Sequence, residues 1–150
     1  MKFERLSEAY LRQARDRLDS AARAMRRGNN AYCVRLSQEA VELSTKGLLR
    51  ALGVEYPKFH DTAPALRAVG DRLPPGASER LALVSETLAR KRALAMYGDE
   101  GANLGPDEIF GRRDAKEALA MAREEYSSCA RMVGERLRLP RGRTGHGAGR

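Results

Sequence analysis

Tryptophan is absent from this 150-residue chain, aromatic residues amount to 5%, and there are only two histidines and two cysteines. So few aromatics argue against sequence-specific reading of splayed bases, which depends on stacking platforms. Cys33 and Cys129 lie far apart with no Cys-x-x-Cys spacing and no nearby histidine, so no structural zinc site is expected and both thiols belong in a core. No run approaches the roughly 18 uncharged apolar residues that would span a bilayer, and Met1-Lys2-Phe3-Glu4-Arg5 leads into charge rather than into a secretory segment. A cytoplasmic location without membrane contact is therefore expected. Alternating strand patterns and repeats of 20–50 residues are also missing.

What the chain does contain is 42% apolar and 32% charged residues, a balance that excludes full disorder, in a length suited to one domain. Its net charge of +8 is unevenly placed. Residues 131–150 hold six arginines against Glu135 alone, so that segment supplies +5 and residues 1–130 only +3. From Pro140 onward the Gly- and Arg-rich sequence has no core-forming residues, and residues 139–150 are expected to be a disordered basic tail following a helical domain over 1–138.

Within that domain, Phe3, Leu6, Tyr10, Ala14, Leu18, Ala21 and Met25 recur at steps of three or four and predict a helix over about 3–27. Gly28-Asn29-Asn30 supplies a terminating glycine and an Asn cap for a second helix over 31–52. The short connection makes these two helices antiparallel neighbours. The second carries apolar residues around more than one stripe and is expected to be central. Gly53 ends it, and an irregular crossover containing Pro57 leads to Asp61, expected to cap a shorter helix over roughly 62–73. Leu73-Pro74-Pro75-Gly76 stops that helix. A fourth is predicted over 78–97 and a last one from Pro106 or Asp107 to about Leu137, separated by the turn-rich loop 98–106. The fold class is all-α, an antiparallel four- to five-helix up-and-down bundle.

Three blocks carry a family likeness. Ser37-Gln38-Glu39-Ala40-Val41-Glu42-Leu43-Ser44-Thr45-Lys46-Gly47-Leu48-Leu49-Arg50-Ala51-Leu52-Gly53, with Pro57 and His60-Asp61 after it, resembles the second helix and crossover of HEPN domains, the higher eukaryotes and prokaryotes nucleotide-binding family. Arg90-Lys91-Arg92-Ala93-Leu94-Ala95-Met96-Tyr97-Gly98-Asp99 is similar to that family's Arg-rich helix end, and Ala115-Lys116-Glu117-Ala118-Leu119-Ala120-Met121-Ala122 to its final helix. The likeness covers about residues 3–135. It implies a bundle that is often dimeric, is frequently encoded beside a minimal nucleotidyltransferase, and in many branches is a metal-independent RNase used as a toxin.

The active motif of those RNase branches, as the resemblance implies, is an Arg followed after four to six residues by His, often with Tyr two positions further. The imidazole moves a proton at the attacking ribose hydroxyl and the guanidinium holds the scissile phosphate. Here Arg90 matches the Arg and Tyr97 the Tyr, but the histidine position falls on Ala95, which can neither move a proton nor orient water. The only literal Arg-to-His spacing, Arg141 to His146, lies in the tail. The expectation is a non-catalytic module that dimerises and binds a nucleotide, a minimal nucleotidyltransferase partner, or both, with no cofactor and no metal.

The candidate nucleotide- or phosphate-binding residues are Lys46, His60, Arg90, Arg92 and Tyr97. Each has a plainer reading. Lys46 lies within an apolar face and either snorkels, pairs with Glu42 or meets a ligand phosphate. His60 is either a turn residue hydrogen-bonding locally or, if the fold brings it beside Arg90 or Arg92, part of a reorganised RNase site. Arg90, Lys91 and Arg92 are a solvated helix face or, with Tyr97 and the nearby loop carboxylates, a phosphate-binding cluster. The resemblance also makes Tyr97 a possible acceptor of AMP from the paired enzyme. A third reading is an electrostatic RNA binder acting through the Arg-rich tail, testable by deleting residues 140–150.

Overall fold

The computed structural model describes residues 2–56 and 58–138, omitting the side chains of 2, 3, 137 and 138, and every structural statement below concerns these residues. Four long helices carry the fold: α1 (Lys2–Arg26), α2 (Asn30–Ala51), α4 (Ala77–Tyr97) and α6 (Arg112–Arg138). Two short ones, α3 (Ala63–Ala68) and α5 (Pro106–Ile109), sit in the connections, and a 3₁₀ turn at Gly70–Arg72 follows α3. No strand occurs among the described residues. A single antiparallel bridge, with backbone hydrogen bonds of 2.9 and 3.0 Å between Asp99 and Leu104, closes the α4–α5 loop. The chain is thus the all-α bundle its periodicity predicts. Pro57 and the expected tail over 139–150, including Arg141 and His146, lie outside the described residues.

The α1–α2 turn forms as the sequence dictates. Gly28 adopts a left-handed φ of 78°, and the Asn29 side chain accepts from the Tyr32 backbone N–H at 3.3 Å, satisfying one of the unpaired donors at the start of α2. α2 packs against all five other helices, as its broad apolar surface requires. One core cluster joins Leu18, Val34, Val41, Leu88, Phe110 and Leu119; a second, toward the other end, joins Leu48, Leu49, Leu66, Leu81, Met132 and Val133. Cys33 and Cys129 are free thiols within these clusters.

Three expectations need correction. The third helix spans six residues rather than twelve, because Val69 and Gly70 turn the chain into the 3₁₀ segment. Asp61 does accept from the Ala63 N–H at 2.9 Å, but Thr62 occupies the cap position. The last helix is not continuous from Pro106. Phe110 takes an extended conformation (φ −105°, ψ 120°) that buries its ring, and α6 starts afresh at Arg112, with the Asp114 carboxylate accepting from the Gly111 N–H at 2.8 Å.

Glycine is required at position 98. Its φ of 72° is left-handed, and a Cβ there would collide with the Leu104 carbonyl oxygen across the bridged loop.

Candidate functional site

A stripe of polar residues on α2 seeds the site. Gln38, Glu42 and Lys46 recur every four residues and therefore share one face of a helix that is otherwise largely apolar. Gln38 is only 1% exposed, so its amide must find partners inside the protein. Its Nε2 donates to Glu42 Oε1 at 3.3 Å and to the His60 carbonyl at 3.5 Å, and its Oε1 accepts from Arg92 Nη1 at 2.5 Å. Glu42 is the hub: Oε1 lies 2.8 Å from His60 Nδ1 and Oε2 accepts from Lys46 Nζ at 3.0 Å. The Lys46 ammonium also stands 5.6 Å from the centre of the Tyr56 ring, within cation–π range.

These contacts bring one end of α4 and the crossover together around a groove of about 370 Å³ lined by His60, Ala89, Arg92, Ala93, Met96 and Tyr97. Tyr97 is 69% exposed and the neighbouring Phe59 67%. An anchored guanidinium, an imidazole held through one ring nitrogen and an open phenol ring therefore face a common space. With Nδ1 engaged by Glu42, the His60 Nε2 has no protein partner among the described residues. In the tautomer with the proton on Nδ1, it is an acceptor.

The fold sorts the five residues singled out in the sequence. His60, Arg92 and Tyr97 line the groove. Lys46 is tied into it through Glu42 rather than lining it. Arg90 is exposed and does not line it, because two residues along a helix amount to about 200° of rotation and put Arg90 and Arg92 on different faces. The loop carboxylates do not line it either, and Asp99 is engaged in its own turn, accepting from the Ala102 N–H at 3.0 Å. His60 does not bond locally, since its side-chain partner Glu42 is 18 residues earlier. Ala95 is 6% exposed and lines a neighbouring depression with Arg27, Tyr32 and Arg35, not the His60 groove. Sequence reasoning passed over Gln38 and Glu42 as site-forming residues; their four-residue register with Lys46 was the available signal. No group of three or more His, Cys, Asp or Glu side chains able to hold a metal occurs among the described residues.

A second polar network runs from α2 into the core. Thr45 Oγ1 bonds the Val41 carbonyl at 2.9 Å and lies 2.7 Å from Thr62 Oγ1, which is 3.1 Å from Ser85 Oγ, itself 3.4 Å from Glu125 Oε2. Glu125 is 3% exposed, and burial pushes its carboxyl up to about 9, outweighing the opposite pull of a Ser85 hydroxyl donating to it. At neutral pH the group is therefore uncharged and can itself donate. Thr45 spends its single proton on Val41 and Ser85 donates to Glu125, so the Thr62 hydroxyl between them can donate to either neighbour.

No helix among the described residues is long and apolar enough to cross a membrane. No curated protein matches the chain. Among solved structures, the bundle superposes on ST0689, described as an archaeal HEPN homologue, with a TM-score of 0.67 and 23% identity over 85% of this chain and 97% of that one. It also superposes on TT1696 from Thermus thermophilus, with a TM-score of 0.65 and 26% identity over 87% of this chain and 97% of that one. The HEPN domain family itself matches residues 7–132, and over that span, which takes in the groove and both polar networks, the chain belongs to the HEPN family.

Proposed function

We propose that this chain is a non-catalytic HEPN module that binds a nucleotide by its phosphates in the His60–Arg92–Tyr97 groove, and that it works as a homodimer alongside a minimal nucleotidyltransferase. The observation that carries the reading is the anchoring of Arg92. A guanidinium held through one nitrogen by a buried amide keeps its remaining donors for a planar oxyanion and loses little freedom on binding it. Tyr97 offers a ring face for a base. The RNase motif's histidine position contributes only the Ala95 methyl, in a different depression. The exposure of Tyr97 also suits it to accept AMP, its phenolic oxygen displacing pyrophosphate from ATP bound by the partner enzyme. The exposed rings of Tyr97 in the groove and of Phe59, next to His60 in sequence, supply apolar surface for a second copy.

Calorimetric titration of the full chain with ATP tests the groove. Arg92→Ala is expected to weaken binding about tenfold, the worth of one charge-assisted pair, and Arg92→Lys to restore only part of it, with helix content unchanged by circular dichroism. Equal ATP affinity in all three proteins would remove the groove from consideration. Light scattering showing a 16.6 kDa species at working concentration would reject the dimer.

A second reading has its own observation. The Glu42 contact to His60 Nδ1 is the arrangement that orients an imidazole as a general base, and Arg92 lines the same groove. A metal-independent RNase with His60 in that role predicts RNA cleavage in chelator that disappears in His60→Ala, whereas the binding-module reading predicts intact RNA.

A further inference from the structure

From Gln38 to its C-cap at Leu52, α2 rises about 20 Å, and its far end borders a separate hollow of about 350 Å³. The apolar wall of this hollow is made by Leu48, Leu52, Leu73 and Met132, with Pro74 beside them. Leu48, Leu52 and Met132 are buried members of the second core cluster, so the hollow opens directly onto the core. Its polar wall consists of Arg72, Glu135 and Arg136. None of its lining residues belongs to the His60–Arg92–Tyr97 groove.

Local structure holds the hollow open. Leu73 is extended (φ −117°, ψ 161°) and runs into Pro74-Pro75, whose fixed φ angles keep that segment from settling inward. Arg72 Nη2 donates to the Leu52 carbonyl at 2.8 Å, which satisfies an acceptor at the end of α2 and spends one of the five donors of the guanidinium. Arg136, one turn after Met132 on α6, makes no ion pair or hydrogen bond among the described residues, and neither does Glu135. Arg136 suits the negative pole of the α6 dipole. Glu135, in the same last turn, opposes it, so helix stability does not account for a carboxylate there.

We infer that this hollow binds a free α-amino acid with an apolar side chain of about leucine's size. The ligand carboxylate meets Arg72 and Arg136, its ammonium meets Glu135, and its side chain lies against Leu48, Leu52, Leu73 and Met132. Charges of both signs beside an apolar wall are complementary to a zwitterion. A fatty acid would leave Glu135 facing its carboxylate with nothing to pair, an alkylamine would do the same to the two guanidinium groups, and a polyphosphate would be repelled by Glu135 and have no use for the leucines. The volume falls at the small end of ligand pockets, roughly 300–1,000 Å³, as a single amino acid requires.

The test is an amide NMR titration of the full chain with L-leucine. Saturable shifts are expected at the C-terminal ends of α2 and α6 and around Leu73, with a dissociation constant on the order of 0.1–1 mM for so small a ligand. Three analogues each lack one part of leucine: 4-methylpentanoate the ammonium, isopentylamine the carboxylate, glycine the side chain. Each should bind at least several-fold more weakly. Arg136→Gln, at an exposed position, should weaken leucine binding about tenfold. Glu135→Gln, also exposed, should weaken leucine several-fold without weakening 4-methylpentanoate, since that analogue has nothing for the carboxylate to hold. ATP affinity should be the same in both variants as in the parent, so the result is independent of the groove. The proposal is overturned if leucine gives no saturable shift up to ~10 mM, or if its shifts centre elsewhere. Leucine affinity unchanged in both variants would overturn it too, as would binding of 4-methylpentanoate or glycine as tight as that of leucine.

Discussion

Gln38 and Glu42 lead from α2 to the rim of the groove, whereas Thr45, less than a turn further on, leads through Thr62 and Ser85 into the core and ends on Glu125. The two networks draw on the same helix and similar side chains, yet they end in different surroundings, one at the rim and one in the core. At the rim, Glu42 pairs with the Lys46 ammonium through one oxygen while engaging His60 Nδ1 with the other. In the core desolvation outweighs the opposing pulls of the Ser85 hydroxyl and of Arg80, and Glu125 keeps its proton. The first arrangement leaves donors available for a ligand. The second links α2, the crossover, α4 and α6 inside the core and is suited to holding them together.

The largest way to break this contrast is to change pH. The unfolded Glu125 titrates near 4.5 and the folded one at about 9, so between those values the folded chain holds a proton that the unfolded chain has released. Stability from this group should be independent of pH below about 4.5, fall by up to ~1.4 kcal/mol per pH unit as pH rises toward 9, and then level off. Urea unfolding from pH 5 to pH 9 measures that slope. Glu125→Gln, which keeps the donor without the titration, should flatten it and raise stability at pH 7 by about 3 kcal/mol; a slope persisting in the variant would show that another group sets it.

Ala95→His probes the boundary between the networks and the depression beside them. Enlarging a buried methyl to an imidazole should cost about 1–3 kcal/mol by denaturant unfolding. It should leave RNA intact in chelator, because the new ring would enter the wall shared with Arg27 and Arg35 rather than the groove. Glu42→Ala removes the rim hub and leaves the partly buried Lys46 ammonium without its partner. The expected cost is about 1 kcal/mol in stability, with a several-fold loss of ATP affinity by calorimetry as His60 is released. The smallest effect belongs to the solvent-facing clamp of Arg67 on Glu79 and Glu86, which ties α3 to α4. Arg67→Ala should leave the thermal midpoint close to that of the parent, since water screens such pairs.

The four long helices were legible because apolar residues at steps of three and four report burial directly, and the α1–α2 turn because Gly28 and Asn29 are needed for their backbone conformations. The break before α6 was not, since Ile109 and Phe110 continue an acceptable helical pattern and only the tertiary pocket that takes the Phe110 ring decides against it. In the site, the chemical types of His60, Arg92 and Tyr97 were visible. The separation of Arg90 from Arg92 depends on the rotational phase of α4, which a run of three cations does not disclose. Gln38 and Glu42 look like ordinary solvated side chains until α4 and the crossover close over them, and it is that closure, between residues up to 54 apart, that makes them the centre of the site.

The tight pass of the chain at Gly98 has a bearing on Tyr97 beside it. With the Leu104 oxygen filling the space where any other residue would carry a side chain, even one added methyl would prise the bridged hairpin open and swing the adjacent ring off its station. The groove can thus be disabled from a position that no bound molecule ever reaches.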